Sequence, residues 1–221
     1  MRIAVAAALC LCAAGARADV NPAAPAAGSA PQIVLPKDGD EYSTLAARTA
    51  AGDKDVDFLS LRLAYLKSAA YKRGDKETDL RKTLFDAVKS GDDKAVRDAA
   101  VALISERYID LWGHKFLRQA CEKLHDDTCA QQAHFVEFGL LKSIVSSGDG
   151  KTCKTGWQAV TVDEEYFMLG MLDVDPNGQS LIDGPPVCDR LDVVDAEGKP
   201  ASYFFRIDDM MAAESALFEK R

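Results

Sequence analysis

The chain has 221 residues, 35 of them acidic against 27 Lys and Arg, for a net charge of −8 at pH 7. That balance argues against nucleic acid and anionic membrane surfaces as partners, and acids interspersed with lysines, as in Asp53-Lys54-Asp55, read as a solvated face. The length suits one domain or two small ones.

Met1-Arg2 is a short basic start, Ile3 to Ala14 an apolar run and Ala16-Arg17-Ala18 an A-x-A site, together the pattern of a secretory signal peptide cleaved after Ala18. The apolar run is shorter than the roughly twenty residues a membrane span needs, so the expected mature chain of 203 residues carries no membrane anchor and is periplasmic or secreted. Cleavage removes Arg2 and Arg17 and takes the mature charge to −10. Residues 19–36, rich in Ala and Pro with little charge, read as a flexible tether.

No proline falls between Lys37 and Asp175, which marks a helical zone. Apolar spacing supports helices over residues 37–146: Leu59, Leu63, Leu66 and Ala70 share one face, with Phe58, Leu61 and Tyr65 beside it, so this helix is buried on two sides. Stops are expected at Gly52-Asp53, Gly74-Asp75, Gly91-Asp92 and His125-Asp126-Asp127, and Thr128-x-x-Gln131 offers a capping box. Gly91 and His125 lie 34 residues apart, which places Asp92 on Asp126 and Ala87 on Cys121. Thirty-four is the tetratricopeptide period, so helical hairpins with right-handed stacking are expected.

Residues 147–221 read as a small mixed αβ region packed on the helices, giving an α+β fold. Trp157 to Val162 is β-prone, Thr161-x-x-Glu164 caps a helix running to Leu172, and Val187 to Val194 with Ser202 to Ile207 forms an antiparallel hairpin around Asp195 to Pro200. Met210 to Phe218 reads as a final docked helix.

Cys121, Cys129, Cys153 and Cys188 survive cleavage, and an oxidising compartment favours disulfides. Cys121 and Cys129 flank His125 symmetrically at a helix-to-helix turn, so the favoured pairing is Cys121 with Cys129 and Cys153 with Cys188. Zinc is the weaker reading of His114, Cys121, His125, Cys129 and His134, which contain no C-x-x-C pair. Asp173-x-Asp175-x-Asn177-Gly178 matches half of a calcium loop, with Asp183 as a further oxygen donor, but Gly184 stands where the bidentate Glu belongs, so Asp-Pro-Asn-Gly reads first as a β-turn. Gly150-Lys151-Thr152 is no phosphate loop, since Val145 occupies the position of its first Gly. Neither a catalytic cluster nor a cofactor or metal site is expected, and adjacent Glu164 and Glu165 diverge by about 100° on a helix, where charge stabilisation of its N-terminus suffices to explain them.

The run Ser147-Gly148-Asp149-Gly150-Lys151, then Val160 to Tyr166, Gly178-Gln179-Ser180-Leu181 and Tyr203 to Ile207 resembles a bacterial family of exported proteins of unknown function. Its members carry tetratricopeptide-like helices ahead of these motifs, often with Asn where Phe205 stands here. The resemblance spans Leu59 to Asp208, and it implies that any shared site lies among Gly148, Asp149, Gly150, Glu164, Glu165, Tyr166, Gln179 and Ser180. The expected function is a non-enzymatic module that binds a protein or peptide partner in the cell envelope. The alternatives are an envelope hydrolase or small-ligand binder with a cleft between the two regions, and a structural accessory protein.

Overall fold

Aspartate caps set the helix starts. The computed structural model describes residues 32–73, 77–195 and 197–219, so the expected leader and the tether up to residue 31 lie outside it. The helices α1 (Glu41–Ala50), α2 (Phe58–Lys67), α5 (Asp93–Glu106), α6 (Leu111–Lys123) and α7 (Asp127–Val145) begin behind Asp40, Asp57, Asp92, Asp110 and Asp126, whose carboxylates accept first-turn amides. Asp92 and Asp126, 34 residues apart, therefore do the same work at equivalent starts. One local reading is corrected: α7 is capped by Asp126 and not Thr128.

The single helix expected through Ala70 is broken. Ser68 turns extended after α2, donating to the Tyr65 carbonyl at 2.7 Å and accepting from the Tyr71 amide at 3.0 Å. Asp40 takes the Ala69 amide at 2.9 Å and starts α3 (Ala69–Arg73) afresh. Helix α4 (Glu77–Ser90) then packs on α5, α5 on α6 and α6 on α7, while α2 lies against α7. Leu61, Leu84, Leu103, Ile104, Leu140 and Ile144 are fully buried between them, each worth about 1.5 to 3 kcal/mol in water exclusion. Ile33 and Leu35 also pack on this core, and the Val34 amide reaches Ser105 Oγ at 2.9 Å, so packing begins before residue 37.

The C-terminal part carries the expected small sheet on the helices, completing an α+β fold. Strand order is β1 (Trp157–Gln158), β4 (Pro200–Arg206), β3 (Cys188–Val194), β2 (Pro176–Ile182), with β1 parallel to β4 and the others antiparallel. The hairpin of β3 and β4 stands where its alternation placed it. Strand β2 replaces the β-turn expected at Asp-Pro-Asn-Gly, since an edge strand tolerates Pro176, and a bulge absorbs Gly178. The β-prone run after Trp157 pairs for only two residues, because Thr161 caps α8 (Val162–Met171). Leu191, Val193 and Phe205 form the buried face of the sheet, and α9 (Asp208–Phe218) returns against α2. No helix among the described residues is long and apolar enough to cross a membrane.

Candidate functional site

Three successive acids open α8, and each projects toward a different wall of the fold. Thr161 Oγ1 accepts the Glu164 amide at 3.3 Å, which sets where the helix starts and so where the acids point. At roughly 100° per residue, Glu164 and Glu165 diverge as expected, and Asp163 takes a third direction. What they meet departs from a simple charge at a helix N-terminus.

Asp163 joins an alternating ring with Arg81, Arg107 and Asp110. It contacts Arg81 and accepts from Arg107 Nη2 at 2.6 Å, while Asp110 accepts from Arg81 at 2.6 Å and Arg107 at 2.9 Å and also caps α6 through the Gly113 amide. Burial pushes the Asp110 carboxyl up, but the two guanidiniums and that amide more than reverse it and hold it below its ordinary value. This ring ties α4, α5 and α6 to α8.

Glu164 is buried and grips Arg62 of α2, which has no solvent exposure. Arg62 Nε and Nη2 donate to its two oxygens at 2.8 and 2.6 Å, Nη2 also reaches the Gln158 carbonyl at 2.6 Å, and Nη1 reaches Ser143 Oγ at 3.2 Å. Glu164 Oε2 further accepts the Val160 amide at 2.8 Å, so its carboxylate reaches one residue past the position a full capping box would use. Such a bidentate pair fixes orientation as well as charge.

Glu165 is also fully buried, and neither of its oxygens meets a hydrogen-bond donor among the described residues. Burial, then Asp189, then Glu164 push its carboxyl up to about 9, so it is neutral at pH 7. Asp189 lies on the buried face of β3; burial raises its carboxyl too, opposed by a 3.0 Å bond from Gln179 Nε2 of β2.

The other motif residues have separate duties. Asp149 Oδ1 accepts from Thr155 Oγ1 at 2.6 Å and the Lys151 amide at 3.0 Å, which holds its carboxyl below the usual range. Gly148 has no room for a side chain, since a Cβ would stand 2.3 and 2.4 Å from the Thr155 and Gly156 carbonyl oxygens. Gly150 combines a φ of 68° with a Trp157 ring 2.6 Å from any Cβ. Gly148→Ala should therefore cost about 1 to 3 kcal/mol, read as a fall of several degrees in the thermal midpoint; an unchanged midpoint would contradict this packing. Tyr166 is 41% exposed, and Ser180 is half-buried opposite Arg190. The structure thus sets Glu164 and Glu165 side by side on α8, holds Gln179 against Asp189 on the sheet, and leaves Gly148, Asp149 and Gly150 in a loop of their own. Arg62 and Asp189 were missed, although an arginine inside a helix apolar on both sides was itself a signal.

Both favoured disulfides are present, with Cα separations of 5.8 Å for Cys121–Cys129 and 5.6 Å for Cys153–Cys188. The remaining metal readings lose their geometry. The only potential metal-binding group found among the described residues, Cys121, Asp126 and Cys129, has both sulfurs bonded to each other. His114 is buried against the Tyr108 carbonyl at 2.7 Å and His134 stacks on Phe138. Burial lowers His114 to about 4 against the opposing pull of that carbonyl and Asp110. Asp175 and Asp183 stand at opposite ends of the seven-residue β2, on the order of 20 Å apart, so the weaker calcium reading, which needed both, has no closed loop here.

Residues 47–216 match the family described as domain of unknown function DUF4919. The chain belongs to the DUF4919 family. The DUF4919 match takes in Arg62, all of α8 and the whole sheet, so the three acid walls lie inside the family domain. No curated protein and no solved structure matches the chain.

Proposed function

We propose that this DUF4919 protein is an exported, non-enzymatic interaction module of the cell envelope that holds an apolar, carboxylate-bearing segment of a protein or peptide. The observation that carries this reading is a pair of lysine-rimmed grooves along α2. One, of about 430 Å³, runs between Phe58, Leu59 and the end of α7, with Lys54 and Lys142 at its edge. The other, of about 330 Å³, lies between Leu63, Leu66 and the Ala213 and Leu217 face of α9, with Lys67 and Lys72 at its edge. On a chain of net charge −8, each groove carries two lysines against one aspartate, Asp57 in the first and Asp209 in the second, a local excess of positive charge that favours an acidic partner.

The acids that a hydrolase would need are engaged or closed off. Asp163 and Glu164 are paired with arginines, Asp149 braces its own loop, and Glu165 has no exposure. Two disulfides support an oxidising compartment, in keeping with the leader-like first eighteen residues. The test is capture from envelope extracts with the mature chain alongside Lys54→Glu/Lys142→Glu and Lys67→Glu/Lys72→Glu variants. The wild type should retain a partner that one of the reversed grooves loses. Finding no specific partner under several growth conditions, or the same partners with both variants, overturns the reading.

A further inference from the structure

Strand β2 is the outer edge of the sheet, with β3 as its one strand neighbour. Past the bulge, Gly178 to Ile182 runs in unbroken register against Asp192 to Cys188. Alternate residues of such an antiparallel edge turn both amide and carbonyl away from the sheet. Among the described residues nothing meets those outward groups, and the strand's one side-chain bond runs from Gln179 Nε2 to Asp189. Pro176 withdraws a donor only at the first position, which leaves the regular stretch able to pair.

The face of the sheet at this edge is unfinished. Gln179 and Leu181 stand on the same side as Leu191 and Asp189 of β3. Leu191 is fully buried while Leu181 is 51% exposed, so the apolar face runs on to the edge without cover.

Both ends of the strand are acidic. Asp173 and Asp175 precede it and Asp183 follows it, all exposed and without an ion pair among the described residues. Arg190, across the ladder from Ser180, is already bound to Asp192 at 2.8 Å. These charges decide what can lie along the edge. A second copy paired antiparallel about Gln179 would set Asp175 of each chain against Asp183 of the other, and parallel pairing would set each acid beside its own counterpart. Like charges across a ladder are destabilising, so the edge resists its own kind. A segment with a cation at each end meets the opposite sign.

We propose that the outer edge of β2 is a β-augmentation site for an extended, basic segment of a partner protein. The segment adds a fifth strand, with an apolar residue beside Leu181 and a lysine or arginine near Asp175 and near Asp183. Main-chain bonds to the outward amides and carbonyls supply affinity, while Leu181 and the end acids supply selectivity. Asp175 and Asp183 are eight positions apart, so the segment holds about nine residues from one charge to the other. The site lines neither α2 groove and takes the opposite charge, so it stands or falls apart from the acidic-partner reading.

The test titrates the disulfide-bonded mature chain with a probe of about nine residues, alternating Val and Thr with Lys at both ends, and reads β2 amide shifts and hydrogen exchange by NMR. The probe should saturate, slow exchange at alternate amides between Gly178 and Ile182, and bind at least about fivefold more tightly than the same peptide ended in Glu. Asp175→Lys/Asp183→Lys, which changes exposed side chains only, should reverse that order. The fully N-methylated form of the basic probe should lose both binding and protection, which separates strand addition from ionic attraction. An unprotected β2 at millimolar basic probe, equal binding of the N-methylated peptide, or an order that the lysine variant does not reverse overturns the proposal. Protection that appears with rising protein concentration alone would assign the edge to a second copy and overturn it too. The comparison of plain and N-methylated probes uses the wild-type chain, so it decides the matter even if the variant fails to fold.

Discussion

Replacing Arg62 with methionine should remove about 3 to 5 kcal/mol of folding stability, a large share of the roughly 5 to 15 kcal/mol a domain holds. The side chain has no exposure and is the partner of both Glu164 oxygens, the Gln158 carbonyl and Ser143 Oγ. Methionine fills much of the same volume, so the loss is electrostatic: Glu164 is left as a buried charge that keeps the Val160 amide as its donor. Adding Glu164→Leu should recover part of the loss by removing that stranded charge. It should not recover all, because the Val160 amide and Gln158 carbonyl then go unpaired at about 1 to 3 kcal/mol each. Urea melts of the two variants check this, and an Arg62→Met chain within 1 kcal/mol or so of wild type would show that the pair does not hold the helices to α8.

The second large effect is expected from Cys153→Ala/Cys188→Ala. That disulfide closes a 35-residue span against 8 residues for Cys121–Cys129, and the chain-entropy relation gives about 4 and about 2.5 kcal/mol respectively. The longer loop encloses β1, α8 and β2, so all three acids sit on a segment tied at both ends. Urea midpoints of the two double variants should therefore fall unequally, with the larger fall for the longer loop. Equal midpoints would mean that the residual structure of the unfolded chain, and not loop closure, sets the contribution.

Much of the local architecture was legible because its causes are local. Asp92, Asp126 and Thr161 announce helix starts within four residues, and the symmetry of Cys121 and Cys129 about a turn is a statement about eight residues. The acids of α8 were placed correctly on diverging faces but were given the wrong duty. Glu164 and its arginine are 102 residues apart, a separation that no local pattern announces. Strand β2 was hidden for the opposite reason: Pro176 and Gly178 carry strong local turn signals that an edge position overrides. The grooves along α2 arise from how α2, α7 and α9 are spaced, which no single helical pattern encodes.

The arrangement of Asp163, Glu164 and Glu165 also limits how this part of the chain can change over time. Each acid has its own address, so substitutions can alter one wall while sparing the others. A change in length cannot. One residue added between Thr161 and Asp163 would rotate all three acids by about 100°, disengage the arginine ring and the Arg62 pair, and carry Glu165 out of its buried seat. The first turn of α8 should thus be a stretch that drifts in identity while keeping its count, with insertions confined to the outer loops, such as the one between β3 and β4.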